Sequence, residues 1–416
     1  MHNEQHTAPL KQLVVYRNLL NDRIVQKSLA ILNGQATTDV YYELSADLIA
    51  KAEELGLEGD IWIKYLAYLM AWDENIFSCT AEKNRGEIGD GLHKAVIHDL
   101  KLLQTVLQSD KLTAANEMAL VRDFSPTKKD CRQTGSQLLD FLESSACSLP
   151  AEQFANTLLA HYVKYGCGKT AQFAAFRWDE QTGLEGIRHT DKISLQDIVG
   201  YEDQKQTLIK NTEAFLDNKP ANNVLLVGAR GTGKSSSVKG LINQYFSAGL
   251  RLVEVHRNQL KHLHKIIDAL RGRSQKFIVF LDDLSFEGSE TEYKHLKSVI
   301  DGGIEARPDN VVLYATSNRR HLIREEWSDR ADSQDIHAND SVHEKISLSD
   351  RFGIILTYAA PDQEKYLHIV ETLATQHEIN LPKEELKKRA LRWELLHSGR
   401  SGRVAQQFVT HIKGCS

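Results

Sequence analysis

Val224-Leu-Leu-Val227-Gly228-Ala229-Arg230-Gly231-Thr232-Gly233-Lys234-Ser235-Ser236 is the stretch on which the reading of this chain turns. From Gly228 to Ser235 it fits G-x-x-x-x-G-K-[ST], the Walker A pattern, in full. Its flanks agree. Residues 224–227 are apolar and β-prone, as in a buried strand. Residues 234–247 carry Val238, Leu241, Ile242 and Phe246 at helical spacing. Glycines here let backbone N–H groups wrap phosphates with no side chain in the way. The helix N-terminus adds the positive end of its dipole. Gly228, Ala229, Arg230, Gly231, Thr232, Gly233, Lys234, Ser235 and Ser236 are therefore expected to cradle the phosphates of ATP. Lys234 is expected to reach the β and γ phosphates, and Ser235 to ligate Mg²⁺.

Downstream, Ile278-Val-Phe-Leu281-Asp282-Asp283 reads as a buried strand ending in two carboxylates, a Walker B pattern. Asp282 is the expected second metal group, and Asp283 the group that orients or deprotonates the attacking water. Further apolar runs at 252–255, 311–315 and 354–358 alternate with amphipathic segments, among them 258–270 with Leu260, Leu263, Ile266, Ile267 and Leu270. Five short strands alternating with helices predict an α/β fold: a parallel five-stranded sheet covered on both faces. After Pro361, which can open a helix at its first turn, two or three helices run to Gly414.

Upstream, the chain reads as helical. Leu10, Leu13, Val14, Tyr16, Leu19 and Leu20 recur at helical spacing, as do Leu100, Leu103, Val106 and Leu107. Residues 61–72 are nearly all apolar and suit a buried helix. Residues 125–150 are polar and rich in turn formers, and 151–164 are helical again. The predicted organisation is a helical N-terminal region over 1–185, accessory or partner-binding, then an α/β nucleotide-binding core over 186–360 and an all-α C-terminal lid over 361–416.

The 416 residues are 41% hydrophobic and 26% charged, with a formal net charge of -5. The balance is that of an ordinary globular protein, and an acidic total argues against non-specific coating of nucleic acid. One local basic patch remains compatible with it. No apolar run approaches the roughly 20 residues of a membrane helix. Residues 1–9 lack the apolar core of a secretion signal. Cys79, Cys131, Cys147, Cys167 and Cys415 are far apart with no Cys-x-x-Cys, so neither a zinc site nor a disulfide framework is indicated, and a reducing cytoplasm is expected. His262 and His264, two apart, face different sides of a helix and do not suggest a metal site. Gly166-Cys-Gly-Lys-Thr170 imitates the end of a Walker A, but Val163 stands where a glycine is required, so it reads as a turn after a helix. The acidic insertion at 327–342 reads as a surface loop.

From Ser194 onward the chain resembles the AAA+ ATPases. Leu195-Gln-Asp-Ile198-Val-Gly200-Tyr-Glu202 is similar to their segment near the adenine. Ala315-Thr-Ser-Asn318-Arg-Arg-His resembles sensor 1, which implies that Asn318 positions water. Ser347-Leu-Ser-Asp-Arg351-Phe-Gly353 resembles the arginine-finger box. The resemblance implies that Arg351 reaches the ATP of a neighbouring subunit and that the protein is a homo-oligomer. Ser401-Gly-Arg403-Val-Ala resembles sensor 2, which implies that Arg403 faces the γ-phosphate; Arg400 beside it reads as a surface cation.

A closer resemblance is to a bacterial group of predicted AAA+ ATPases known as domain-of-unknown-function family 815. It rests on Asp282-Asp-Leu-Ser-Phe286, Ala315-Thr-Ser-Asn-Arg-Arg-His-Leu322, Glu344-Lys-Ile-Ser-Leu-Ser-Asp-Arg-Phe-Gly353, Tyr165-Gly-Cys-Gly168 and Ala175-Phe-Arg-Trp178. It implies nucleotide chemistry and names no substrate. In AAA+ proteins generally a Glu follows the Walker B Asp. Here that residue is Asp283, one methylene shorter, with Glu287 as the alternative carboxylate. Residues 256–259 have no aromatic, against the pattern of polypeptide-threading members. The leading expectation is an ATPase acting on an unknown protein partner, with Lys234, Asp283, Asn318, Arg351 and Arg403 in catalysis. A slow or non-hydrolysing nucleotide switch and a DNA-remodelling, helicase-loader-like factor are the alternatives.

Overall fold

The computed structural model describes residues 9–109, 112, 115–127, 149–284, 296–300, 307–318, 351–397 and 399–415. Packing separates the chain into two compact units: Met1–Gln172 with Gly272–Gln275, and Phe173–Arg271 with Lys276–Ser416.

The first unit is built of helices α1 (Arg23–Leu32), α2 (Thr38–Leu55), α3 (Ile61–Trp72), α4 (Ile76–Lys83), α5 (Asp90–Leu107), α6 (Ala151–Tyr165) and the short α7 (Gly168–Gln172). Polar side chains set several helix starts. Asp22 accepts the Ile24 and Val25 N–H groups at the head of α1. Asn75 and Ser78 form a reciprocal capping box on α4. Helix α3 buries eight of its twelve residues, Trp62 among them, as its apolar sequence requires. The periodic run 10–20 does not form an α-helix. It forms two 3-10 turns, Pro9–Gln12 and Arg17–Asn21. The reason is Asp99, a fully buried carboxylate that accepts the N–H groups of Val14, Val15 (2.7 Å) and Tyr16 (3.0 Å), which an α-helix would have used internally.

The second unit holds a seven-stranded sheet of β1 (Ala175–Asp179), β2 (Gly183–Gly186), β3 (Val224–Gly228), β4 (Leu250–Val255), β5 (Lys276–Leu281), β6 (Val311–Ser317) and β7 (Ile354–Tyr358), in the order β2-β1-β4-β5-β6-β3-β7. Every neighbouring pair except β1–β2 is parallel. The five expected strands are its core, with the phosphate-loop strand β3 between β6 and β7. The two extra strands extend the β4 edge. Their hairpin is half-exposed, so its apolar pattern is too weak to read as strand.

Alternation along the core strands feeds two layers. Leu225, Val227 and Val279 face one cluster with α10 (Leu263–Leu270). Val224, Leu226, Ile278 and Phe280 face the other with α8 (Glu202–Leu216) and α9 (Lys234–Tyr245). Residues 258–270 are not one helix: the 3-10 turn Arg257–His262 precedes α10. Helices α11 (Gln363–Gln376), α12 (Lys383–Leu396) and α13 (Gly402–Cys415) enclose a third apolar cluster around Tyr366 and Phe408. Asp362, not Pro361, caps α11, through the Lys365 N–H.

Candidate active site

The phosphate loop follows β3 at a point where two backbones nearly touch. Gly228 has φ +146°, and a Cβ there would run into the carbonyl of Tyr358 on β7. Only glycine suits both the conformation and the gap. Gly231 (φ +73°) and Gly233 (φ +93°) turn the chain into the N-terminus of α9. Thr232 Oγ1 closes the loop on Ala229 O at 2.8 Å. Lys234, the first residue of α9, is buried and donates to Gly228 O (2.9 Å), Ala229 O (2.8 Å) and Asn318 Oδ1 (2.9 Å). Burial lowers its pKa from the ordinary lysine range to about 8, against the opposing pull of Asp283 and Asp282.

The ends of β5 and β6 supply the facing groups. Asp282 Oδ1 accepts from Ser235 Oγ at 2.6 Å and from Thr316 Oγ1 at 2.7 Å. Thr316 Oγ1 also accepts the Asp283 N–H at 2.9 Å. Asp283 sits at φ +53°, in the left-handed region, and its carboxylate accepts from Asn318 Nδ2. Lys234, Asn318, Asp283, Thr316, Asp282 and Ser235 thus form one hydrogen-bonded chain drawn from the ends of β5 and β6 and the start of α9.

This chain lines one end of a cavity of about 780 Å³. The other wall is apolar: Ile198, Val199 and Tyr201 precede α8, and Ile369 and Leu373 belong to α11. Tyr201 is held in place by packing its ring, tilted by 30°, against Tyr358 (centroids 4.8 Å apart) and by donating to Ala359 O at 2.6 Å. Arg230, Arg403, Gln406 and Gln407 line the cavity as well. The start of α13 docks directly on the phosphate loop, where the Arg403 N–H donates to Gly231 O at 3.1 Å.

Of the expected site residues, Arg230 to Ser236, Asp282, Asp283, Asn318 and Arg403 line one cavity. Gly228 and Ala229 do not line it; their carbonyls hold Lys234, which does. Arg351 does not line it. It stands just before β7, whose first residue Ile354 pairs with Val224 at the opposite end of β3 from the loop. Arg400 is engaged by Glu394 (2.8 Å) and Gln363 (3.2 Å). Glu287, Arg319, Arg320 and 327–342 lie outside the described residues. His262 binds Glu180 and His264 binds Ser298, so the two diverge. Thr316 is the residue that reading the sequence missed. The signal was present: it stands two before Asn318 near the end of β6, and alternate residues of a strand share a face.

The fold and site define an α/β protein whose parallel-dominated sheet carries a Walker A phosphate loop. The family described as "Protein of unknown function (DUF815)" matches residues 171–416, more than half of the chain, and the chain belongs to it. No curated protein matches the chain. Among solved structures, the Thermotoga maritima RuvB Holliday junction branch migration motor is 16% identical, with a TM-score of 0.33, covering 54% of this chain and 72% of that one. Two mutant forms of RuvB are 17% and 18% identical, with TM-scores of 0.36 and 0.37, each covering 52% of this chain. The match spans 64% of the length of each of those two chains.

Proposed function

We propose that the chain is an ATPase that couples nucleotide turnover to movement of its C-terminal helices and, through the helices of its first unit, to a protein partner in the cytoplasm. The observation that carries this reading is the continuous chain from Lys234 to Ser235 through Asn318, Asp283, Thr316 and Asp282, at the phosphate-loop end of a nucleotide-sized cavity. The apolar wall of Ile198, Val199, Ile369 and Leu373 suits a flat base. The glycine loop suits phosphates. Ser235 and Asp282 offer two oxygens 2.6 Å apart, the hard donor set that Mg²⁺ takes. When bound, Mg²⁺ neutralises charge on the β and γ phosphate oxygens.

Lys234 exchanges its carbonyl partners for phosphate oxygens. Asp283, freed from Asn318, orients the attacking water and takes its proton, while the Asn318 amide holds that water. Arg403 meets the γ-phosphate from α13, whose start already rests on Gly231. Loss of the γ-phosphate releases that contact, and the lid with it. Arg351, at the far end of the sheet, acts on the site of another copy in a homo-oligomer.

The test is ATP turnover per subunit, with Lys234→Ala as the blank. Turnover above the blank supports the enzyme. Tight ATP binding with turnover equal to the blank sinks it and leaves the second reading, a nucleotide-controlled switch. The observation favouring that reading is Asp283, whose short side chain is already bonded to Asn318. A DNA-remodelling role rests on the resemblance alone, and the net charge of -5 opposes it. A gel shift that weakens with salt would revive it.

A further inference from the structure

The first unit brings together two cysteines that lie 88 positions apart in sequence. Cys79 Sγ on α4 and Cys167 Sγ in the turn between α6 and α7 are 4.0 Å apart. Cys79 is half-buried and Cys167 fully buried. We propose that Cys79 and Cys167 are a reversible redox pair, closing to a disulfide when a peroxide oxidises Cys79.

The turn is shaped to hold this approach. Gly166 (φ +74°) and Gly168 (φ +64°) flank Cys167 in the left-handed region. A Cβ at Gly166 would meet the Glu82 carboxylate at 2.8 Å, and one at Gly168 would meet Glu74. Both positions favour glycine through their backbone conformation. A disulfide needs about 2.05 Å between sulfurs, so closure asks for roughly 2 Å of side-chain movement.

The surroundings divide the labour between the thiols. The Cys167 thiol donates to Glu82 Oε2 at 3.2 Å. Arg273, in the loop Gly272–Gln275 of the same unit, donates to Glu82 Oε2 at 3.3 Å and to Cys167 Sγ at 3.7 Å, and it also binds Glu74. When Cys79 ionises, the one Cys167 S–H turns from Glu82 to the Cys79 sulfur; that bond, with the Arg273 charge beside it, holds the Cys79 thiol below its ordinary range, at about 7. The partner bond, burial and the Glu82 charge raise that of Cys167. Cys79 is thus the more acidic and the more accessible sulfur, the combination that makes a thiol reactive. Cys167 is placed to resolve it. Arg273 supplies the positive charge in the cluster, so the same side chains do not make a cation site.

The chemistry closes on itself. The Cys79 thiolate attacks one peroxide oxygen; an S–O bond forms, the O–O bond breaks, and the alkoxide or hydroxide leaves with a proton. Cys167 sulfur then attacks the sulfenic sulfur, giving up its proton as water departs. Two thiols and one peroxide yield one disulfide, one alcohol or water, and one further water. A thiol reductant returns both sulfurs.

The experiment treats the reduced full-length protein with a graded series of hydrogen peroxide, blocks remaining thiols with N-ethylmaleimide, and maps peptides by mass. The expected product at the lowest effective dose is a peptide linking Cys79 to Cys167, lost on adding dithiothreitol. In Cys167→Ala the resolving thiol is gone, and a dimedone adduct is expected on Cys79. In Cys79→Ala, Cys167 is expected to stay reduced at the same dose. If either variant fails to fold, the unmodified protein decides alone. The proposal is overturned if Cys131, Cys147 or Cys415 oxidises while Cys79 and Cys167 remain reduced, or if Cys79 passes to sulfinic acid with no linked peptide.

Discussion

Thr316 Oγ1 lies 2.7 Å from Asp282 Oδ1, and its hydroxyl donates to that carboxylate while accepting the Asp283 N–H. One side chain therefore fixes the direction of the carboxylate proposed to hold Mg²⁺ and the left-handed backbone of the next residue. Thr316→Val keeps the shape and removes both bonds. The expected result is a fall in turnover of about 10- to 100-fold, the usual effect of losing a group that orients a metal ligand. The Mg²⁺ requirement should rise and Thr316→Ser should recover most of the rate. Turnover measured across a Mg²⁺ series checks this, and equal rates in Thr316→Val and the parent would remove Thr316 from the site.

Asp283 is the only described carboxylate bonded to Asn318 at the phosphate end of the cavity. Asp283→Asn keeps the volume and removes the proposed base. Turnover should drop by about 10²-fold or more, as loss of a general base does, while binding of ATP should persist or tighten. Single-turnover kinetics beside a binding titration separates the two. A rate within a factor of two of the parent would transfer the role to another carboxylate.

The Lys234 amine offers a pH test with a definite sign. Burial lowers its pKa to about 8, so the free protein loses this proton as pH rises through that value. Phosphate oxygens bind the charged form, so the proton must be taken back on binding. Affinity for ATP should be level below pH 8 and then weaken by up to roughly tenfold per pH unit above it. Lys234→Met should bind more weakly at every pH and show no such break. Binding curves from pH 7 to 10 on the two proteins decide it.

The Walker A and B stretches were legible because each needs several residue types in a fixed order. The buried strands were legible because five short apolar runs admit few other readings. The N-terminal run 10–20 was not, although Leu10, Leu13, Tyr16 and Leu19 are all buried as its spacing suggests. Its backbone is decided by Asp99, more than 80 residues away, and a periodicity read locally cannot contain that bond. The same holds for Thr316 and Asp282, from different strands, and for Cys79 and Cys167. Apolar periodicity is local; hydrogen-bonded pairs between elements are set by topology.

Asp99 therefore has a stability prediction of its own. Asp99→Ala strips the acceptor from the N–H groups of Val14, Val15 and Tyr16. Two of these donors, those of Val15 and Tyr16, are buried, and each left unsatisfied costs about 1–3 kcal/mol, so a loss of about 2 kcal/mol or more is expected. Limited trypsin digestion should cut first near Lys11 and Arg17, while ATP binding by the second unit is retained. Unchanged digestion would mean that water replaces the carboxylate.

Arg351 is where geometry separates two assemblies. The register Val224↔Ile354 to Gly228↔Tyr358 runs the length of β7 away from Arg351 before the phosphate loop begins. At about 3.3 Å per residue, that is roughly 13 Å of strand, beyond the reach of one arginine side chain. Its own site is therefore excluded, and a neighbouring copy is the alternative. Lys234→Ala lacks a working site and keeps Arg351; Arg351→Ala has the reverse defect. Each alone should be inactive. In an equal mixture with free exchange, about one interface in four joins a sound site to a sound arginine in a head-to-tail oligomer, so turnover should return to about a quarter of the parent rate. An Arg351→Ala protein as active as the parent would deny the residue a catalytic part in any subunit. An inactive mixture whose subunits have been shown to exchange would deny that the arginine acts across an interface.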